Sequence, residues 1–255
     1  MTAPRTAGAP DESAAIDSAT ARRMVAEHPL WYHTMELAPG QETEGMFDLR
    51  PFVDRYGLPE SLEGKRCLDV GTWDGFWAFE MERRGGEVVG IDLDDEQLLD
   101  YPPRRRPQTF PDEPRGANFK VAHEALGSKV ERRVISIYDA TPDDLGTFDF
   151  AFCGSVVIHL RDQLLALERI AGLVREGGTF VSAEAYYTRA ARLPIAIARY
   201  RADRPQDVVF WEPNPRAWRR MLWSAGFDDV REHSRFKLRA RAGWSVPHVV
   251  HHARR

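Results

Sequence analysis

The stretch from Arg66 to Asp92 constrains this chain most, because it reads as strand, glycine bend, helix and strand in immediate succession. Cys67-Leu68-Asp69-Val70 is an apolar, strand-length run, and Gly71-Thr72-Trp73-Asp74-Gly75 bends the chain sharply. Phe76 to Arg84 carries helical spacing and stops at Gly85-Gly86, where a left-handed terminal residue is least strained without a Cβ. Val88-Val89-Gly90-Ile91 then gives a second strand. Strands alternating with helices in this way form a doubly wound α/β sheet that is mostly parallel.

The alternation continues to the end of the chain. Val134 to Ile137 reads as a third strand and Phe148 to Cys153 as a fourth; Gln163 to Val174 puts Leu164, Leu167, Ile170 and Val174 on one helical face. Gly177-Gly178 leads into a fifth strand, Thr179 to Ala183. Pro215 opens a helix that Gly226 ends, and the last two strands centre on Val230 and Val249. Ala19 to Glu36 and Phe52 to Tyr56 are expected as an N-terminal helical cap. The expected division is a disordered leader over 1–20, a cap or lid over 21–62 and the α/β domain over 63–255, with insertions near 101–119 and 185–210.

Composition narrows the function classes. A net charge of -4 supplies no broad basic surface for a phosphate backbone, so nucleic acid is the minority expectation despite Arg104-Arg105-Arg106 and a basic C-terminal region. No apolar run approaches the roughly 20 residues of a membrane span. The first twenty residues lack the basic start and apolar core of a signal peptide. Cys67 and Cys153, the 2 cysteines, sit in apolar strands and read as reduced thiols, which suits a cytoplasmic protein. No His or Cys grouping has zinc spacing, His251-His252 reads as part of a frayed end, and no phosphate loop or nucleophile elbow is present, so no metal is expected. A monomer and a homo-oligomer both remain open.

The glycine bend is the most informative segment. In a dinucleotide fold its middle glycine lets the backbone approach a pyrophosphate, and here that position is Trp73. S-adenosylmethionine carries no phosphate, and its amino acid part can lie on Asp69, Gly71, Thr72, Trp73 and Gly75 with the helix start facing the carboxylate. Asp92, with Leu93 beside it, ends the second strand where an acid accepts both ribose hydroxyl hydrogens. Tyr138 and Asp139 follow the third strand and suit the adenine, although an ordinary turn aspartate explains Asp139 equally. Gly154 and Ser155, at the end of the fourth strand, complete the expected cofactor set.

On Leu68 to Gly75, Val89-Gly90-Ile91-Asp92 and the run from Phe148 to Glu184, the chain resembles class I S-adenosylmethionine-dependent methyltransferases. The resemblance spans about Trp31 to Phe227. It implies a Rossmann-like methyltransferase fold with a seven-stranded, mostly parallel sheet, S-adenosyl-L-methionine as cofactor, and methyltransferase activity. Gly154 to Asp162 and Phe210-Trp211-Glu212-Pro213-Asn214 resemble the branch that contains tRNA uridine carboxymethyltransferases. Those enzymes, the resemblance implies, hold the carboxylate of carboxy-S-adenosylmethionine partly with a tyrosine directly before the histidine matching His159. Here that residue is Ile158, which offers neither hydrogen bond nor charge, so the ordinary cofactor is expected. Trp31-Tyr32-His33-Thr34, Thr43-x-Gly45 and Phe47-Asp48 are shared with stand-alone small-molecule methyltransferases.

Methyl transfer is an in-line displacement that needs alignment, dryness and sometimes a base. His159, just after the fourth strand, is the expected base, with a merely orienting histidine as the alternative. Asp162 fits the N-cap of the next helix better than a catalytic role. By the resemblance, Trp31, Tyr32 and His33 cover the acceptor; Tyr186, Tyr187 and Trp211 flank the second insertion as a possible far wall, with ordinary core packing as the alternative for both sets. The expected function is methylation of an O, N or C nucleophile on a small, aromatic or secondary-metabolite acceptor. A tRNA wobble-uridine modifier and a non-catalytic cofactor-binding subunit are the alternatives.

Overall fold

Apolar residues on both faces of a strand force it to the centre of a sheet, and Cys67 to Val70 and Phe150 to Cys153 are buried on both faces. The structure, a computed structural model, describes residues 18–28, 31–204 and 208–255. Its main sheet consists of β1 (Arg66–Val70), β2 (Glu87–Asp92), β3 (Glu131–Val134), β4 (Phe148–Gly154), β5 (Val174–Ala185), β6 (Asp228–Arg239) and β7 (Ser245–Arg254). They lie in the order β6-β7-β5-β4-β1-β2-β3, with β7 antiparallel to both neighbours and the rest parallel. This is the doubly wound, mostly parallel seven-stranded sheet expected. The chain steps outward in opposite directions from β1 and β4, so their carboxyl ends open a crevice, the place where such sheets bind ligands.

Helices cover both faces. On one side Phe76–Arg83 and Ala117–Leu126 bury Trp77, Met81, Phe119 and Ala122 with the N-terminal region; on the other Gln163–Leu173 and Pro215–Ser224 bury Leu167, Ile170, Trp218 and Leu222. Asp162 caps its helix, accepting the Leu165 N–H at 2.9 Å. Cys67 and Cys153 are buried free thiols. Among the described residues, no helix is long and apolar enough to cross a membrane.

Several boundaries differ from the expectation. The third strand lies at Glu131–Val134, earlier than the Val134 to Ile137 run, because an edge strand pairs on one side only and tolerates charged residues. Ile135 and Ile137 are freed to line a cavity. β5 begins at Val174, with its register to β4 slipping before Thr179. His251 and His252 are not frayed: His251 is 1% exposed, between Ser182 of β5 and Glu232 of β6. The leader expected over 1–20 lies outside the described residues as far as position 17, and Ser18–Glu27 is a helix. Residues 205–207 of the second insertion also lie outside them, and the first insertion gives up its last residues to the Ala117–Leu126 helix.

The cap is mixed in structure, a helix followed by the hairpin Glu36–Ala38 with Gln41–Glu42 and a short helix Val53–Tyr56. Its key part is the segment from Trp31 to Thr34, pinned from both directions. Phe47 N–H donates to Tyr32 O at 2.9 Å, Thr34 N–H to Phe47 O at 2.8 Å, and the Thr43 hydroxyl to His33 O at 2.7 Å. Gly45 makes this approach feasible, since a Cβ there would stand 2.1 Å from the His33 carbonyl carbon. Gly45→Ala therefore pushes against backbone that has nowhere to go. Urea unfolding is expected to show a loss of about 1–3 kcal/mol, and an unchanged midpoint would contradict the close approach.

Candidate active site

The bend after β1 adopts a conformation that most side chains avoid. Gly71, Trp73 and Gly75 have φ of 75, 46 and 97°. The end of β2 holds it: Gly71 N–H donates to Ile91 O at 2.8 Å and Trp73 N–H to Asp92 Oδ2 at 2.8 Å, while Leu93 N–H binds Asp92 Oδ1 at 2.7 Å. Trp73 thus takes left-handed backbone at considerable steric cost for a bulky residue. Its indole is packed by Tyr32, stacked with centroids 4.6 Å apart, and by the Arg115 guanidinium 3.9 Å from the ring centroid. At Gly71 a Cβ would meet Val156 Cγ2 at 2.3 Å, so glycine is required for the bend to approach the loop after β4.

Two adjoining cavities open here. The outer one, of about 310 Å³, runs from Gly71 past Asp92 and Leu93 to Ile135, Ser136 and Ile137. The inner one, of about 70 Å³, is bounded by Asp69, Thr72, Gly154, Tyr32, His33 and Phe47, among others. Trp73, Ser155, Val156 and His159 line both. The outer walls are largely aliphatic, with the charged groups Asp92, Glu96, Asp100 and Arg115 among them, which suits a flat base and a ribose held by a carboxylate.

The inner cavity has a polarity of its own. Asp69 is 2% exposed and lies beside Thr72, and neither its Oδ2 nor the Thr72 Oγ1 makes a well-formed hydrogen bond within the protein. Burial pushes the Asp69 carboxyl up to about 7. Facing it is His33, whose Nδ1–H is held by Asp74 Oδ1 at 2.5 Å, while Asp74 Oδ2 accepts the Tyr32 and His33 N–H groups at 3.1 and 2.7 Å. Asp74 therefore clamps the N-terminal segment onto the glycine bend.

The loop after β4 is held from below. Glu184, 1% exposed at the end of β5, accepts the N–H groups of Val156, Val157 and Ile158 at 3.2, 3.0 and 3.3 Å, yet burial still raises its carboxyl to about 8. This fixes the 3-10 turn Val157–His159. His159 Nδ1 lies 2.9 Å from Val208 O, and because a carbonyl only accepts, that nitrogen carries a hydrogen, so in the neutral ring the lone pair is on Nε2.

Of the residues expected from sequence, Gly71, Trp73, Asp92, Leu93, Ser155 and His159 line the outer cavity, and Asp69, Thr72, Gly154, Tyr32 and His33 the inner. The others line neither. Gly75 serves packing, since a Cβ there would stand 2.3 Å from Phe79 Cε2. Asp139 sits in a turn with its N–H on Ser136 O, and the Tyr138 hydroxyl donates to Asp100 Oδ2 at 2.6 Å. Trp31 belongs to the core. Tyr186 and Tyr187 pack under Arg235 and Arg199, and Trp211 packs on Tyr200. Ile158 is buried and lines neither cavity, so its apolar character carries no argument about the cofactor.

Sequence reasoning missed Leu99 and Asp100, just before the first insertion, and Tyr101 and Arg115 within it, all lining the outer cavity. It also missed Asp74 and Glu184, each a carboxylate beside an apolar strand or bend, which is the signal that could have exposed them. Among the described residues, no group of three His, Cys, Asp or Glu could hold a metal ion.

Comparison with known proteins agrees with this geometry. Residues 44–232 match the family described as methyltransferase domain. A ubiquinone biosynthesis O-methyltransferase of Dechloromonas aromatica (strain RCB) is 30% identical over 141 residues, 55% of this chain and 53% of that protein. One from Chromobacterium violaceum is 28% identical over 177 residues, 68% of this chain and 65% of that protein. The chain spans about half to two thirds of the length of these relatives. The N-terminal domain of EvdMO1 with SAH bound has a TM-score of 0.62 at 18% identity, covering 96% of this chain and 99% of that one. Burkholderia thailandensis 1,6-didemethyltoxoflavin-N1-methyltransferase, with bound 1,6-didemethyltoxoflavin and S-adenosylhomocysteine, has a TM-score of 0.51 at 17% identity, covering 76% and 72%. At such identities these two structures share the fold.

The two raised carboxyls give a stability signature. Asp69 and Glu184 stay protonated in the folded protein up to about 7 and about 8, whereas unfolded carboxyls ionise near 4. Their stabilising contribution is full below about pH 4 and is lost as pH rises through the folded values. The buried His248 and His251, held down to about 4, act oppositely, but only below about pH 6.5, where unfolded imidazoles gain protons. Stability of the ligand-free protein should therefore fall between about pH 6.5 and 8.5. Urea midpoints across that range read it, and Glu184→Gln should flatten the slope; a rising midpoint in the parent protein would refute the assignment.

Proposed function

The chain belongs to the class I S-adenosylmethionine-dependent methyltransferase family, and on that premise we propose that it transfers the methyl group of S-adenosylmethionine to a small, flat organic acceptor. The observation that carries the reading is the orphaned carboxylate oxygen of Asp69 in the inner cavity. A buried acceptor without a partner is costly, and a ligand ammonium would satisfy it. The outer cavity supplies the complement, with Asp92 for ribose hydroxyls between apolar walls. Asp92 already accepts two N–H groups, and a carboxylate retains lone pairs for two more. The residues present thus fit the cofactor along its length.

When bound, the cofactor supplies a methyl carbon made electrophilic by positive sulfur. The chain's own part is to align, dry and deprotonate. Tyr32, Phe47, Tyr56 and Trp77 wall the inner cavity with aromatic surface that excludes water. His159 stands at the junction with its tautomer set by Val208, so Nε2 is the nitrogen suited to take a proton from the acceptor. The O-methyltransferase activity named for the curated relatives makes an oxygen nucleophile the first class to test.

Two measurements check the reading. Isotopically labelled S-adenosylmethionine incubated with small phenols and bacterial extracts should label a small molecule; His159→Ala should lower kcat by about 10²–10⁴-fold while S-adenosylhomocysteine still binds. Full activity in that variant would remove histidine as base. Independently of turnover, an ammonium placed beside Asp69 lowers its raised pKa, so binding of S-adenosylhomocysteine at pH 6 should release a proton. Calorimetry in buffers of different ionisation enthalpy detects this. The release should vanish in Asp69→Asn; its absence in the parent protein would count against the assigned cofactor orientation.

A further inference from the structure

Ser155 combines three unusual properties. It lines both cavities at their junction, and its backbone is left-handed at φ 57°, a region that a serine enters only when its surroundings enforce it. The enforcement is visible: Ser155 N–H donates to Ala183 O at 2.8 Å, and the next three amides are bound by Glu184. Its hydroxyl lies 2.7 Å from Nε2 of His248, a residue 93 positions away on β7 and 2% exposed.

The direction of that hydrogen bond is fixed by chemistry. His248 Nδ1 is 3.2 Å from Val246 O, which only accepts, so Nδ1 holds the hydrogen. Burial lowers the pKa of His248 to about 4, so the ring is neutral near pH 7 and Nε2 carries a lone pair. Ser155 must therefore donate its one hydrogen inward. Toward the cavities its oxygen shows only lone pairs, and donating strengthens it as an acceptor.

Resting on the methyltransferase reading, we propose that Ser155, oriented by His248, accepts a hydrogen bond from the acceptor molecule and selects acceptors that carry a second donor beside the reacting atom. Adjacent hydroxyls or a primary amine meet this requirement: one hydrogen rests on Ser155 Oγ while the other leaves from the nucleophile. A carboxylate or a fully alkylated oxygen brings no donor and meets an unfavourable lone pair. Ser155 is thus a specificity residue and His248 a positioning residue. His248 is a weak base in this setting, so the hydrogen stays on Ser155 Oγ and no proton passes through the pair to the interior.

The test uses the full chain loaded with S-adenosylhomocysteine, titrated by NMR with catechol, phenol, 1,2-dimethoxybenzene and benzoate. Catechol should bind about tenfold more tightly than the other three, the worth of one hydrogen bond. Ser155→Gly, which keeps and relaxes the left-handed backbone, should bring catechol to the level of phenol with S-adenosylhomocysteine held at saturation for each protein. His248→Leu frees the serine hydrogen to face the cavity and should raise benzoate binding. Histidine nitrogen shifts should show His248 protonated on Nδ1 alone. The proposal is overturned if dimethoxybenzene or benzoate matches catechol, if Ser155→Gly leaves the preference intact, or if no probe binds the loaded protein. Failure of S-adenosylhomocysteine itself to bind would instead bring down the methyltransferase reading beneath it.

Discussion

The site depends on a single joint, the hydrogen bonding between the bend after β1 and the end of β2. Asp92 accepts the Trp73 N–H and Ile91 O accepts those of Gly71 and Thr72, so three successive amides are committed to one neighbouring strand. Without them a tryptophan would have little reason to occupy left-handed backbone. With them, the indole projects between the two cavities, and Tyr32 and Arg115 pack on it from the N-terminal segment and the first insertion. A local backbone constraint thereby gathers parts of the chain that are distant in sequence.

Three carboxyl groups, Asp74 and Glu184 buried and Asp92 partly so, extend the same principle. Asp74 holds Tyr32 and His33, Glu184 holds the loop after β4, and Asp92 holds the bend. Each organises backbone N–H groups, to which Asp92 adds the Arg115 guanidinium at 3.8 Å and Asp74 the His33 ring at 2.5 Å. Asp69 differs in having an oxygen with no internal partner. Structural acids are satisfied by the chain, and this unsatisfied one lies where a ligand would complete it.

How much of this was legible in the sequence follows from how local each feature is. The β1 bend, Asp92 and the helix capped by Asp162 depend on neighbours a few residues away or on one strand pairing, and their patterns show in the chain itself. The third strand was misplaced because Ile135 and Ile137 are apolar for the sake of a cavity, and periodicity alone does not distinguish a cavity wall from a sheet. Tyr186, Tyr187 and Trp211 looked like a pocket wall by position after β5, but arginines lie over the two tyrosines and Trp211 packs on Tyr200 with 40% of its surface exposed. His248 was invisible because its partner is 93 residues away, although a strand around Val249 was expected. Topology alone brings β7 alongside β5 and puts that imidazole beneath Ser155.

The two insertions also have a shared role. Arg105 of the first donates to Ala202 O of the second at 2.9 Å, Arg161 N–H binds Asp100 Oδ2 at 2.8 Å, and Phe210 N–H reaches Ile158 O at 3.3 Å. They brace one another around the mouth of the outer cavity. The carbonyl that sets the His159 tautomer, Val208 O, belongs to this braced region. Any acceptor that displaces the second insertion therefore shifts the hydrogen bond defining which imidazole nitrogen can take a proton. If His159 is the base, as proposed, loop placement and proton removal are coupled through this one contact.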